Sequence, residues 1–403
     1  MAAVNPFEQI HFSNYLQGQQ QKNIAVVSRY GNQNMYRIGA VEACNKGYEW
    51  LKNAGRVKGI FQGLLHQLQQ ARKTLAETMG SEHCEMFGKP RQDSLGMCHT
   101  GLFYPYDQQG EKCRAFLARH LEKVSIPVSG PVQPSTVISP KIDPQARFSY
   151  QVQILSAKDY QKKVESATTV WEQFVKEKRV VEKDIPDVEV HEFARQYPEE
   201  MSYRSVLLLT NQLDFSSYIK QKETQHAQKH PALYLFNGFK HVFCITKIFV
   251  RVLGKPTPLG EIVTWSYRDG SRPPHTILAQ EGRSYVVHQH SCHMQDTMTE
   301  IEDIFQRILQ WKQEDPFETL QEQIAQLRYY FAFLMPSFRG DGAIGDWIEA
   351  ICYYNHGYGV NFHDTSLQCM EPFAHFHFPN YLKCYRKTRT FLHQGQEVEQ
   401  KVS

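Results

Sequence analysis

The sequence has no apolar run long enough to cross a bilayer. The longest candidate, from Val242 to Val252, is short and is interrupted by Lys247 and Arg251. Its first residues, MAAVNPFEQIHFSNYLQGQQQ, lack the charged-then-apolar pattern of a secretory leader. The expectation is a protein that acts in the cytoplasm, or one exported into a host cell by a route that leaves no such signal. Charge of one sign is also missing: 45 Lys and Arg stand against 42 Asp and Glu, scattered along the chain, for a net +3. That balance argues against a nucleic-acid-binding surface. Nine cysteines contain no CxxC pair, which argues for reduced thiols and against a disulfide framework. Absent too are GxxxxGK[ST], a GxGxxG after a strand, GxSxG, HExxH, the kinase signatures and the HPFxxGNGR loop of Fic-type enzymes.

What is present is a globular composition, with 41% hydrophobic and 22% charged residues over 403 positions, enough for two or three structural units. Ile60, Leu64, Leu65, Leu68, Ala71 and Leu75 recur at helical spacing and place a helix between Gly55 and Met79. A further helix is expected at Glu111 to Val124. Residues Ser125 to Pro144 hold five prolines, a density that no regular helix or central strand survives. The domain reading is therefore a helical N-terminal unit over 1–125, a proline-rich linker over 126–145, and a mixed domain over 146–403. Strands are expected at Phe148 to Leu155, Ser205 to Thr210, Glu261 to Tyr267 and Arg283 to Gln289, and His241 to Leu253 reads as a strand although its length also suits a helix. Helices are expected from Thr297 onward, one of them started by Asp315-Pro316 and the last running from Pro379 to about His393. The fold class is α+β, mainly helical, with one small mixed sheet.

Two stretches carry candidate chemistry. In PSFRGDGAIGDWIEAICYYNHG, from Pro336 to Gly357, a glycine loop feeds an amphipathic helix. Free N–H groups and the helix dipole favour an anion there, and Arg339 adds a bidentate phosphate contact. An equally direct reading makes Gly-Asp-Gly a turn and Asp341 a helix cap. At the other end, His393 and Glu397 form the only pair in which a His is followed four residues later by a Glu. On a helix the two share a face, so the carboxylate orients an imidazole base; a solvated tail is the plain alternative. His288, His290 and Cys292 would share one face of a strand, as a metal site requires, with His293 beside them.

The loop and the HxxxE pair together resemble the catalytic region of the S-HxxxE family of bacterial effectors and large toxins. These are similar to actin-dependent phosphoryl-AMPylases, which move AMP from ATP to a phosphorylated acceptor. The resemblance covers about the last hundred residues. It implies that His393 and Glu397 are catalytic and that Arg339, Gly340 and Gly342 line the ATP phosphates. It also implies a protein acceptor, with host actin or another protein as activator. Asp341 stands where the family has serine, a departure that replaces a hydroxyl with a carboxylate able to accept a proton or bind Mg²⁺. Asp346 is a second candidate Mg²⁺ ligand, and Glu349, one turn further, extends the same polar face. The competing expectation is a non-enzymatic effector or scaffold, with some of its 21 Tyr and 24 Phe as interface anchors.

Overall fold

The computed structural model describes residues 7, 33–55, 59–81, 83–91, 98–100, 137–138, 146–204, 240–268, 283–362, 371–394 and 396–398. The helix expected at Glu111 to Val124 and the strand expected at Ser205 to Thr210 lie outside these residues, as does most of the proline-rich segment. Its elements are α1 (Gln33–Ala54), α2 (Ile60–Thr78), β1 (Cys98–Thr100), β2 (Val137–Ile138), β3 (Phe148–Ser156), α3 (Ala157–Glu177) and α4 (Asp187–Gln196). They continue with β4 (Lys240–Val252), β5 (Lys255–Arg268), β6 (Arg283–His288), α5 (Ser291–Gln310), α6 (Phe317–Leu334), α7 (Asp341–Tyr354) and β7 (Tyr358–Phe362). The chain closes on α8 (Glu371–Ala374), α9 (Phe378–Lys387), β8 (Arg389–His393) and β9 (Gln396–Glu397). The class is mainly helical α+β, as composition and periodicity indicate. Among the described residues the strands pair antiparallel in two sheets, six strands in the order β1-β6-β5-β4-β3-β2 and three in the order β7-β8-β9, where one small mixed sheet is expected from the sequence.

Contacts divide the chain into one unit of residues 1–91 with 295–403 and another of residues 92–294. The first helices thus group with the C-terminal ones, where the sequence suggests 1–125 as a unit of its own. The first helices do not stand alone: they supply the bed on which the C-terminal helices pack.

In the first unit α7 touches α1, α2, α6 and β7. Its sequence explains why, because Ile344, Trp347, Ile348, Ile351 and Cys352 recur at three- and four-residue steps and are all fully buried. Gly47 lets α1 come close. A Cβ there would lie 2.8 Å from Ile351 Cδ1 and 3.0 Å from Leu68 Cδ2. Tyr329, Tyr330, Tyr353, Tyr381 and Tyr385 are buried in this unit, so much of the aromatic excess is core.

In the second unit β4 and β5 form a long hairpin. Leu253 and Gly254 turn it with φ of 48° and 78°, the pair of left-handed residues that a tight two-residue turn requires. β5 starts six residues before its expected beginning, despite Pro256 and Pro258. β6 pairs only with Gly260 to Trp265, so neither proline faces a ladder on that side. Trp171, Phe174 and Phe193 centre a cluster between α3 and α4.

Candidate functional site

The Arg339 loop is a built feature of the first unit. Its backbone is pinned to the turn after α2: Gly88 N–H donates to Arg339 O at 3.0 Å, Phe338 N–H to Lys89 O at 3.0 Å and Arg91 N–H to Pro336 O at 2.8 Å. Gly340 caps α7 with φ of 96° and offers no side chain to the first-turn amides. A Cβ at Gly340 would sit 2.8 Å from Arg72 Cγ and 3.3 Å from Phe87 Cδ1. Glycine is needed there for both its backbone angle and its lack of bulk.

Arginines converge on this place. The Arg72 guanidinium lies 4.2 Å from the centre of the Phe87 ring, and that of exposed Arg339 lies 6.0 Å from the same ring. Arg72 Nε and Nη1 are buried and have no hydrogen-bond partner among the described residues. Burial lowers the proton affinity of this guanidinium, with Tyr36 acting in the opposite sense. Lys89 adds a further cation over Phe338, 5.5 Å from its ring centre. The result is a patch of positive charge beside an uncapped helix N-terminus, the arrangement that suits a phosphate.

Asp341 faces away from that role. Its side chain turns inward, only 7% of the residue is exposed, and Oδ2 accepts from Ser337 N–H at 2.7 Å. Burial pushes its carboxyl up to about 7, against the opposing pull of Ser337 and Arg91. Asp341 thus shapes the loop from beneath.

Asp346 and Glu349 belong to another assembly. Arg328 on α6 donates from Nη2 to Asp346 Oδ1 at 2.7 Å, and its Nε lies 3.2 Å from Glu349 Oε2. Arg389 on β8 donates from Nε to Glu349 Oε1 at 2.5 Å and from Nη1 to Glu371 Oε2 at 2.9 Å. Glu349 and Arg389 are wholly buried, so Glu349 lines no phosphate site in this arrangement. Asp341 and Asp346 are also unsuited to one metal ion, being roughly 140° apart around a helix of 3.6 residues per turn. Among the described residues no group of three or more His, Cys, Asp or Glu is placed to hold a metal ion.

The His393 and Glu397 pair is corrected most. The helix expected from Pro379 to His393 ends at Lys387, and the two residues lie on a hairpin. His393 pairs with Gln396 and Leu392 with Glu397. Neighbouring positions on a strand point to opposite faces, so imidazole and carboxylate point apart. His393 instead packs on Tyr358, with ring centres 4.7 Å apart. Nor does it meet Arg339, which precedes the first residue of α7, whereas Tyr358 follows its last. Fourteen helical residues lie between, a span of roughly 21 Å.

The expected strand face of His288, His290 and Cys292 is broken too. His288 ends β6, whereas Cys292 is already in the first turn of α5. Sequence reasoning missed Arg72 and Arg389. Arg72 sits among Gln and Lys on a plain amphipathic stripe. Arg389 left a signal, as a cation within the strand-like run TRTFL. No helix among the described residues is long and apolar enough to cross a membrane. No protein-family model matches the chain, and comparison with curated proteins finds no similar one.

Proposed function

We propose that the chain is a nucleotidyltransferase that moves AMP from ATP to a protein or phosphorylated acceptor, with the ATP phosphates seated on the first turn of α7 between Arg72 and Arg339. The observation that carries this reading is Arg72: a guanidinium stacked on Phe87 beside Gly340, with two buried nitrogens lacking partners among the described residues. A polyphosphate oxygen supplies what those nitrogens lack, and the uncapped amides of α7 supply the rest of the cradle. Mg²⁺ accompanies ATP as the phosphate counter-ion. His393 and Glu397 have no part in this version of the reaction, which rests on positioning and charge stabilisation at the loop.

A second reading keeps the anion site and drops the transfer. In it the patch recognises a phosphorylated or acidic protein, and the chain is a non-enzymatic effector. The separation of His393 from the loop favours it. Among the described residues Tyr197, 37% exposed, is the only exposed large aromatic, so the cationic patch is the surface this reading uses.

One experiment separates these readings. The full chain is incubated with Mg²⁺ and ATP labelled in the α-phosphate, with and without a eukaryotic lysate or purified actin, and its thermal midpoint is measured with ATP and with pyrophosphate. Label transfer that is lost in Arg72→Ala and in Arg339→Ala supports the transferase. Stabilisation by both ligands with no transfer supports the binding module, and no stabilisation by either removes both readings.

A further inference from the structure

The cluster that absorbs Asp346 and Glu349 has an imbalance of charge. Two guanidiniums, Arg328 and Arg389, face three carboxyl groups, Asp346, Glu349 and Glu371, on four elements: α6, α7, α8 and β8. Among the described residues no further cation pairs with these three carboxylates. Cys44 of α1 stands close enough to Asp346 to feel its charge, and Tyr381 and Tyr385 of α9 face the arginines and Glu349. Burial pushes the Cys44 thiol and both Tyr hydroxyls well up, so all three stay neutral.

A net negative charge in so dry a place is costly, and the simplest remedy is to neutralise one carboxylate. The three are not equivalent. Arg389 bonds both Glu349 and Glu371, and Glu349 is further approached by Arg328. Asp346 has a single ionic partner, and its side chain retains 15% of its exposure against 0% and 4% for the other two. It is therefore the member with the weakest hold on its charge and the readiest exchange with water.

We infer that this buried cluster is a proton-binding site, in which Asp346 carries one proton in the folded protein at mildly acidic pH. The proton brings the cluster to two positive and two negative charges, and it clasps α7, the helix whose first turn carries the Arg339 loop. Burial is the main cause that raises this carboxyl, to about 7, with Glu349 adding to it and Arg328 opposing it. A group bound more tightly to its proton when folded stabilises the fold fully below its unfolded value near 4. That contribution is lost as pH rises toward 7.

The test counts protons. The full chain is unfolded with urea at about pH 5.5 in weak buffer, where an unfolded Asp is ionised, and released protons are measured with an indicator dye. Wild type is expected to release close to one proton more than Asp346→Asn. Glu371→Gln is expected to show the same deficit, because removing either carboxylate balances the cluster. Between about pH 4 and 7 the unfolding constant of wild type should also rise up to tenfold per pH unit more steeply than that of Asp346→Asn. Equal proton release from wild type and both variants overturns the inference. So does a deficit that appears in Glu371→Gln but not in Asp346→Asn, since the proton then sits on a group other than Asp346. If one variant fails to fold, the other supplies the comparison.

Discussion

Arg389 holds Glu349 through two nitrogens, Nε at 2.5 Å from Oε1 and Nη2 at 3.3 Å from Oε2, with both side chains fully buried. The pair ties the first strand residue after α9 to the middle of α7, 40 positions earlier. Its geometry is the fork-on-carboxylate match that makes arginine, and not lysine, the residue for such a place. The guanidinium also lies 3.8 Å from the Tyr385 ring centre, which gives its other face a partner.

Removing one member strands the other. Glu349→Ala takes from Arg389 the carboxylate that meets its fork, and Arg389→Ala leaves Glu371 and Glu349 in the core with only Arg328 near the latter. Each is expected to cost about 3–5 kcal/mol, the usual range for breaking a buried pair. Arg389→Lys should recover only part of this, since one ammonium cannot reach both carboxylates with the same geometry. Urea unfolding of the three variants measures the order, and a lysine variant as stable as wild type contradicts the fork argument.

Gly345 makes the cluster possible. A Cβ at this position would fall 1.4 Å from Arg328 Nη1 and 2.7 Å from Cζ, so Gly345→Ala must evict the guanidinium from its place on Asp346. Helix propensity alone predicts a gain of up to about 1 kcal/mol for this change within a helix. The expected outcome is the reverse, a loss of at least about 2 kcal/mol, as overpacking and a broken ion pair act together. A thermal midpoint at or above that of wild type would falsify the close approach of α6 to α7.

Much of this architecture is legible in the residues, and the failures have a common cause. The stripe from Ile60 to Leu75 and the Pro316 start of α6 are local signals, and both elements form where they are expected. The region after Lys387 depends on partners far away. Arg389 to His393 becomes a strand because Tyr358 to Phe362 lies beside it, a pairing that no short window contains. Read alone, His393 and Glu397 fit helical spacing as well as hairpin spacing. Arg72 was invisible for the same reason: only the return of Gly340 against α2 makes it special.

His393 and Glu397 supply a prediction that follows from this. Glu397 is exposed at the hairpin tip, so Glu397→Ala should change stability by less than about 0.5 kcal/mol. His393 packs on Tyr358, so His393→Phe should preserve stability where His393→Ala lowers it by about 1 kcal/mol. Neither Glu397→Ala nor His393→Phe should alter the midpoint shift produced by ATP or pyrophosphate, whereas Arg72→Ala should abolish it. A loss of nucleotide stabilisation in His393→Phe would bring the hairpin back into the site.

Asp341 offers a pH signature that the loop's shape controls. Its carboxyl is raised to about 7 chiefly by burial, so the neutral form is the one the folded protein favours. The associated stability is complete below the unfolded value near 4 and declines as pH climbs toward 7, beyond which an ionised carboxylate remains buried. Asn keeps an oxygen to accept from Ser337 N–H at the same position and never ionises. Asp341→Asn is therefore expected to be the more stable protein at pH 8, by on the order of 4 kcal/mol relative to their difference at pH 4. Urea midpoints across this range measure the crossing. Parallel pH profiles for the two proteins would mean that the carboxylate is solvated or more firmly paired than its bonds to Ser337 imply, and that the loop is open beneath Gly340.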